Sequence, residues 1–369
     1  MKAMKDHSKG TRWLAPWKDS TEKPVIYHCV SRVVDRRFAL GKEEKEKLRT
    51  FMRMQENFTG CRVLAYCIMC NHVHFLLEVP PLPADGFSDE DLLKRLRASC
   101  SEAEVAMVAK CLAEYRESGG EVAAKELHVS YTYRMHDLGE FMKNLLQRFT
   151  RWFNAKHGRS GTLWESRFKS VLVEDGVASR TMAAYIDLNP VRAGMVIDPA
   201  DYRWSSYGEA MGGGTKGNGK KARAGLVRAL MAHKGYKADA RHWAGDVSKQ
   251  YRIILLVEGE ETLREVSGAE GGVAVRVVRK GISKEVAEAE LARLERCRDV
   301  ALGRMLRCRV RYFSDGAVLG SREFVDRVFR ACRERFGEKR KSGARKLRGN
   351  AVAAAGALWS VRDLQKGIG

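Results

Sequence analysis

Long apolar runs are missing from this sequence. No apolar stretch approaches the ~18 residues that cross a bilayer, and the first residues (MKAMKDHSKGTRW) lack the apolar core of a signal peptide. The nine cysteines are an odd number without the spacing of a disulfide framework, which is typical of reduced thiols. These absences argue against a membrane or disulfide-stapled protein and predict a cytoplasmic one.

Acidic residues are also few relative to basic ones. The 369 residues include 67 Lys and Arg against 46 Asp and Glu, a formal net charge of +21. Such an excess in a chain with an ordinary hydrophobic fraction of 44% indicates a polyanionic partner, with nucleic acid favoured over an anionic membrane. The length allows two domains with a real core.

Alternation of apolar residues predicts a strand over Val25–Val33 and a strand or hairpin from Cys61 to Val79. Lys42–Phe58 and Leu138–His157 have the apolar spacing of amphipathic helices, and Ser170–Val173 has a strand-like composition. The predicted strand or hairpin from Cys61 to Val79 contains a CxxC pair, Cys67 and Cys70. Residues three apart on a strand face opposite ways, so we interpret these thiols as apolar fillers rather than zinc ligands.

Two further segments set the predicted domain organisation. Ser88 and Asp91 predict the start of a long helix that runs to about Tyr115, inside an insertion over about 84–136. The glycine- and lysine-rich stretch 211–225 is predicted to be a linker that does not pack. The predicted division is an N-terminal arm (1–24), a catalytic domain (25–210), the linker (211–225), a helical domain (226–338) and a basic tail (339–369).

The segment NHVHFLLEVP, residues 71–80, carries the first candidate site. On a strand, His72 and His74 project from the same face, and two neutral imidazoles can bind a divalent metal if a third ligand arrives from elsewhere. A pair of structural histidines is the alternative reading of this motif taken alone.

The segment TMAAYIDLNPVRAG, residues 181–194, carries the second. It is predicted to be helical to about Asn189, because Pro190 disfavours helix in the residue before it. Tyr185 and Asn189 then lie on one helix face, one turn apart. A core-edge aromatic with a C-terminal helix cap is the alternative interpretation of this pair.

Four motifs in order carry a resemblance to a known family: NHVHFLLEVP, FMKNLLQRFTRWFNAKHGRSGTLWESRFKSVLVED, AAYIDLNPVRAGMV and YRWSSY. Together they resemble the REP-associated tyrosine transposases, relatives of the IS200-like insertion-sequence transposases with an HUH motif and one catalytic tyrosine. The resemblance extends from about Val25 to Tyr207. One departure is Cys70, which stands where family members often have proline.

The resemblance implies a fold and a chemistry. The fold is α+β, a ferredoxin-like antiparallel sheet with flanking helices, the histidine strand central and the tyrosine helix across its metal-bearing face, followed by a C-terminal helical domain. His72, His74 and Asn189 would hold Mg²⁺ or Mn²⁺, and Tyr185 would be the nucleophile. Cleavage of single-stranded DNA would leave a 5′-phosphotyrosine, and imperfect palindromes that form hairpins would be the substrates.

Basic residues interleaved with aromatics over 141–170 predict a groove for single strands and hairpins, although most of the aromatics are expected in the core. The predicted phosphate contacts are Arg148, Arg151, Arg159, Arg167, Lys169 and Arg192. The stretch 339–348 adds six cations and is predicted to be a non-specific phosphate arm.

The region after Leu226 leaves two alternatives. The helices predicted over Lys284–Arg309 and Ser321–Phe336, joined by a turn at SDGAVLG, have a helix-turn-helix outline in which Arg322 and Arg327 would face a duplex. Packing of a helical hairpin onto the catalytic domain or a partner subunit is the other.

The function predicted is that of a nucleoid-associated bacterial transposase, active as a monomer or homodimer, with no membrane partner. The rival is a DNA-binding repressor or repeat-organising protein that does not cleave. A replication initiator or relaxase is disfavoured, because nothing resembles a helicase or a second catalytic tyrosine.

Overall fold

The computed structural model describes residues 14–212, 217–231, 239–244, 246–267, 273–295, 307–308, 316–336, 340–347, 349–350 and 358–361. Its helices are α1 Lys42–Thr59, α2 Asp89–Leu96, α3 Glu102–Glu117, α4 Glu121–Thr132, α5 Leu138–Lys156, α6 Val177–Asp187, α7 Asn189–Arg192, α8 Ser206–Gly212, α9 Gly217–Leu230, α10 Asp246–Gly259, α11 Lys284–Glu295 and α12 Arg322–Ala331. Its strands are β1 Val25–Arg32, β2 Arg62–Ile68, β3 His72–Val79, β4 Lys169–Val173, β5 Thr262–Ser267, β6 Val273–Arg279, β7 Arg307–Cys308, β8 Val318–Gly320, β9 Arg345–Lys346, β10 Gly349–Asn350 and β11 Trp359–Val361. Among the described residues, no helix is both long and apolar enough to cross a membrane.

The first four strands form an antiparallel sheet in the order β2-β3-β1-β4. With α1 between β1 and β2 and α5 between β3 and β4, this order is the ferredoxin-like β-α-β-β-α-β topology. The predicted α+β class is confirmed, and β3 lies inside this four-stranded part between β1 and β2 as expected.

Each face of the sheet is covered by different helices. Tyr27, Cys29 and Phe75 point to one side, where they pack with α1, α5 and α12, and we name this the α5 face. Ile26 and Leu76 point to the other side, where they pack with α6 to α10, and we name this the α6 face. Because strand residues alternate, the sheet lies between the two cores, and Trp204 packs against both.

The insertion between β3 and α5 is three helices rather than one long helix. Ser88 accepts a hydrogen bond from the Asp91 amide, so the predicted start of α2 is confirmed. However, α2 ends at Leu96, and α3 begins at a complete capping box of Ser101 and Glu104. The prediction of a continuous helix to Tyr115 was wrong because this second box starts a new helix.

The stretch predicted as a linker folds largely into helix. Residues 217–225 form the first part of α9, while 213–216 lie outside the described residues. Ala222 and Leu226 are buried against the sheet, and a Cβ at Gly225 would collide with the Val63 carbonyl oxygen. Glycine-rich composition predicts a flexible segment, but here the missing side chain allows a helix to approach a strand closely.

The C-terminal region contributes strands to the main sheet. β8 pairs parallel with β4, and β11 pairs antiparallel with β8 and with β9, giving a seven-stranded sheet. The expected turn at SDGAVLG therefore contains a strand instead, which departs from the helix-turn-helix outline. The predicted helix over Lys284–Arg309 is present from Lys284 to Glu295, but Arg307–Cys308 form the strand β7 instead, and 296–306 lie outside the described residues.

Two details of this region show how it packs. Ser321 caps α12 as predicted, and α12 buries Phe324 and Val328 on the α5 face of the sheet. The segment 340–347 of the predicted arm also packs, since the Ala344 amide donates to Asp326 Oδ1 and Leu347 is buried. A run of cations does not prevent packing when single apolar residues within it reach the core.

Candidate functional site

The two histidines of the NHVHFLLEVP motif lie side by side on the α6 face. His72 is the first residue of β3 and is partly buried, whereas His74 is 3% exposed. Their ring centroids are 4.9 Å apart, and the ring planes are nearly perpendicular at 83°. The juxtaposition predicted from the two-residue period of a strand is present.

Each of these imidazoles has its Nδ1 engaged by a neighbour. His72 Nδ1 lies 2.7 Å from Asn71 Oδ1, and His74 Nδ1 lies 2.9 Å from Nε2 of His28. An amide oxygen only accepts hydrogen bonds, so the Nδ1 of His72 carries the proton and its Nε2 keeps a lone pair. Nε2 is thus the nitrogen that His72 can offer to a metal.

Burial keeps both histidines uncharged. Desolvation lowers the pKa of His72 to about 4, with the nearby Arg32 guanidinium adding to the effect. Desolvation also lowers the pKa of His74 well below its ordinary value, and the neighbouring His72, His28 and Arg32 act in the same direction. Neutral imidazoles are the form that binds metal ions.

Tyr185 comes to these histidines from α6. The helix packs on the sheet through buried neighbours such as Met182 and Ile186, and Tyr185 itself is 3% exposed. Its ring centroid is 5.9 Å from that of His74 and 6.0 Å from that of His28, in edge-to-face geometry at 89° and 81°. Residues far apart in sequence thus form one aromatic cluster.

Asn189 lies at the junction of two helices. α6 ends at Asp187, and Pro190 occupies the first turn of the short α7. The Asn189 side-chain nitrogen donates to the carbonyl oxygens of Tyr185 at 2.9 Å and Ile186 at 3.2 Å, which caps the end of α6. These bonds use Nδ2, so a role as metal ligand falls to Oδ1.

Arg192 belongs to the same cluster. Its guanidinium carbon lies 5.1 Å from the centroid of the Tyr185 ring, and its Nη1 is 3.5 Å from the Tyr185 carbonyl oxygen. The prediction assigned this side chain to DNA binding, and the structure puts it against the candidate nucleophile. A cation over an aromatic ring is favourable, more so when it is partly desolvated.

The other predicted phosphate contacts lie in three separate places. Lys169 pairs with Val30, which pairs with His74, so Lys169 is in register with the histidines on the α6 face. Arg148 and Arg151 lie on α5, across the sheet, with the Arg148 guanidinium 5.0 Å from the Phe51 ring centroid. Arg159 and Arg167 are exposed in the segment between α5 and β4. The predicted groove is therefore not one continuous set of cations around Tyr185.

Two residues of β1 were missed by the sequence reading. His28 is fully buried beside His74, and Arg32 pairs with His72 across the strands. With Val30 between them, they occupy one face of the strand at the same two-residue period as His72 and His74. Polar residues at alternate positions of an otherwise apolar strand were the available signal.

The side chains of this cluster supply only part of the ligand set that a divalent ion usually has in proteins. Within the described chain, no cluster of three or more His, Cys, Asp and Glu residues is arranged to hold a metal. The cluster offers two imidazoles, and the third ligand that the family resemblance implies is the carboxamide of Asn189. Such a set leaves coordination positions for water or a substrate oxygen.

Comparison with known proteins gives one family. Residues 21–84 match the model of the IS200-like transposase family, a range that includes β1, β2, β3 and both histidines but not Tyr185. The resemblance predicted from the motifs is confirmed for that range. No curated protein matches the chain.

One solved structure is similar, a REP-associated tyrosine transposase bound to a REP hairpin. It is 16% identical, and the match covers 64% of this chain and 89% of that chain with a TM-score of 0.31.

Proposed function

We propose that the protein is a metal-dependent endonuclease and strand transferase that cleaves single-stranded or hairpin DNA through a covalent bond to Tyr185. The observation that carries the proposal is the 5.9 Å between the ring centroids of Tyr185 and His74. It brings the candidate nucleophile against the candidate metal ligands within one chain. The family match over residues 21–84 supports a transposase-type function.

The residues that would hold Mg²⁺ or Mn²⁺ are His72 and His74 through Nε2, with Asn189 Oδ1 as a further ligand. The hydrogen bond from His72 Nδ1 to Asn71 supports this assignment, because metal-binding histidines usually donate their other N–H to a neighbour. A bound divalent ion would polarise the phosphodiester and offset charge that develops on its oxygens. Further coordination positions would remain for the substrate.

The covalent step follows from the phenol. The Tyr185 oxygen, on losing its proton, attacks phosphorus, and the bond from phosphorus to the 3′-oxygen breaks. The leaving 3′-oxygen takes up a proton, and the 5′-phosphate stays on Tyr185. One phosphodiester has replaced another, so a second 3′-hydroxyl can reverse the step without ATP, which is strand transfer.

Three cations would serve this reaction. Arg192 lies over the Tyr185 ring, and its charge favours the phenolate over the phenol. Arg32 and Lys169 are in register with the histidines and would bind phosphate oxygens of the strand.

Because histidines, tyrosine and cations come from one chain, we propose that a single subunit contains a complete site. Palindromic repeats as substrate and a cytoplasmic, nucleoid-associated location stay predictions.

The test uses hairpin DNA with a labelled 3′ end, since the 5′-phosphotyrosine joins the protein to the 3′ fragment. Wild-type protein with Mn²⁺ should give a labelled band of protein–DNA adduct on a denaturing gel. Tyr185→Phe should abolish the band and leave hairpin binding within a few-fold. Tyr133→Phe is the matched control, because Tyr133 is 57% exposed on the insertion, away from the sheet.

Undiminished adduct in Tyr185→Phe would disprove the assignment of the nucleophile. Tight hairpin binding by the wild type with no adduct in Mg²⁺ or Mn²⁺ would favour the non-cleaving repressor or organising protein instead.

A further inference from the structure

His28 is a buried polar side chain that the proposed chemistry does not use. It sits in the middle of β1, is 0% exposed, and is flanked on the α6 face by apolar residues such as Ile26 and Val30. Burying an imidazole among apolar groups costs free energy unless its nitrogens are hydrogen-bonded. Its Nε2 forms a hydrogen bond with the Nδ1 of His74 at 2.9 Å, which satisfies one nitrogen of each ring.

The sheet register makes this bond possible. His74 pairs with Val30, and His28 pairs with Leu76, so the two histidines are diagonal neighbours on adjacent strands. Their ring planes differ by only 10° and their centroids are 5.2 Å apart, which lets nitrogen meet nitrogen at the ring edges. The Tyr185 ring stands edge-to-face against both rings, which limits their rotation.

A hydrogen bond between two neutral imidazoles has two possible directions. If His28 donated from Nε2, His74 would carry its own proton on Nε2, and that nitrogen would have no lone pair for a metal. If His74 donates from Nδ1, its Nε2 is free to bind. His72 is already in the second arrangement, because Asn71 Oδ1 accepts from its Nδ1.

We propose that His28 is the positioning residue of the metal site, accepting a hydrogen bond from Nδ1–H of His74 and so keeping the Nε2 lone pair of His74 available. This inference rests on the proposed function, since His74 matters as a ligand only if the site binds a metal. His28 then does for His74 what Asn71 does for His72. Outer partners of this kind orient the ligand ring and fix its tautomer.

The experiment has two arms. In metal-free wild-type protein labelled with ¹⁵N, long-range proton–nitrogen correlation identifies the tautomer of each histidine, and we expect His74 protonated on Nδ1. In the second arm, Mn²⁺ affinity is measured by electron paramagnetic resonance for His28→Leu and His28→Gln. Leucine cannot accept, so we expect a loss of roughly 10- to 100-fold, whereas the glutamine carbonyl can accept and should keep affinity within a few-fold.

Ile26→Val is the matched control, because Ile26 lies on the same strand and face but makes no hydrogen bond to His74 through its apolar side chain. It should leave both the tautomer and the affinity unchanged. A wild-type His74 protonated on Nε2 would overturn the inference, and this result is available even if the His28 variants do not fold. Unchanged Mn²⁺ affinity in a folded His28→Leu would also overturn it.

Failure of this inference is separable from failure of the proposed function. If His74 has the wrong tautomer but wild-type protein forms the Tyr185 adduct, only the role of His28 is lost. If the wild type neither binds Mn²⁺ nor forms adduct, the proposed function fails, and the tautomer arm still reports on the hydrogen bond.

Discussion

The guanidinium carbon of Arg192 lies 5.1 Å from the centroid of the Tyr185 ring, seven positions further along the chain. The two are held together by the turn between α6 and α7, where Asn189 caps the first helix. A cation is thus fixed against the candidate nucleophile by local chain geometry.

We expect Arg192→Ala to slow adduct formation by roughly 10- to 100-fold, because the cation that favours the phenolate is removed. Arg192→Lys should recover only part of the rate, since an ammonium lacks the planar guanidinium that stacks on the ring. The measurement is the single-turnover rate with saturating hairpin. An Arg192→Ala rate equal to that of wild type would show that the contact is structural.

Arg151 is expected to affect binding without affecting chemistry. It is exposed on α5, across the sheet from Tyr185. Arg151→Ala should weaken hairpin binding a few-fold and reduce the slope of log affinity against log salt by about one, while bound DNA still forms adduct at the wild-type rate. Arg241→Ala, which removes another exposed arginine, is the control. A changed rate with unchanged binding would contradict the separation of faces.

The buried ion pair of α9 should be essential for stability. Arg228 lies 2.6 Å from Glu78, with both side chains 1% exposed, and 2.8 Å from Asp175. Among the described residues, Arg228→Met leaves Glu78 buried with Arg62 as its one remaining cation, at 3.3 Å, so we expect a loss of about 3 kcal/mol in the free energy of unfolding. Denaturant titration measures it. Adding Glu78→Gln should restore part of the loss, and a fully additive double variant would argue against the pairing.

Asp187 predicts a dependence of stability on pH. Burial raises its pKa to about 7, against opposing hydrogen bonds from Tyr251 and the Tyr207 amide. A carboxyl whose folded pKa is raised stabilises the fold when protonated, so its contribution is complete below about pH 4 and declines as pH rises to about 7. The free energy of unfolding of wild type minus that of Asp187→Asn should therefore fall across this window. An unchanging difference would refute the shift.

β1, β4, α1 and α5 were predictable because local sequence determines their apolar spacing or composition, and the strand or hairpin predicted from Cys61 to Val79 is the antiparallel pair β2 and β3. The location of His72 and His74 on one face of β3 was predictable, since side chains two residues apart on a strand point to the same side. The start of α3 was missed, although Ser101 and Glu104 carry a capping box in the sequence. That error came from treating an apolar spacing as one helix.

Other features depend on contacts between distant segments. β8, β9 and β11 are two or three residues long, too short for any periodicity, and they are strands only because a neighbouring strand pairs with them. The closeness of Tyr185 to His74 likewise needs α6 to pack on the sheet, and was expected only from family resemblance. Which face the α5 cations occupy follows from the direction of the helix crossover, which composition does not encode.

The parallel pairing of β4 with β8 has a consequence during synthesis. β1 to β4 leave the ribosome well before residues 316–320, which supply the carbonyls of Ala317 and Leu319 that accept from the Leu172 and Glu174 amides. Throughout that interval a nascent chain exposes one side of β4 as an open row of donors and acceptors, of the sort that recruits other extended chains. Pairing of β8 with β4 therefore closes an edge to which another extended chain could add.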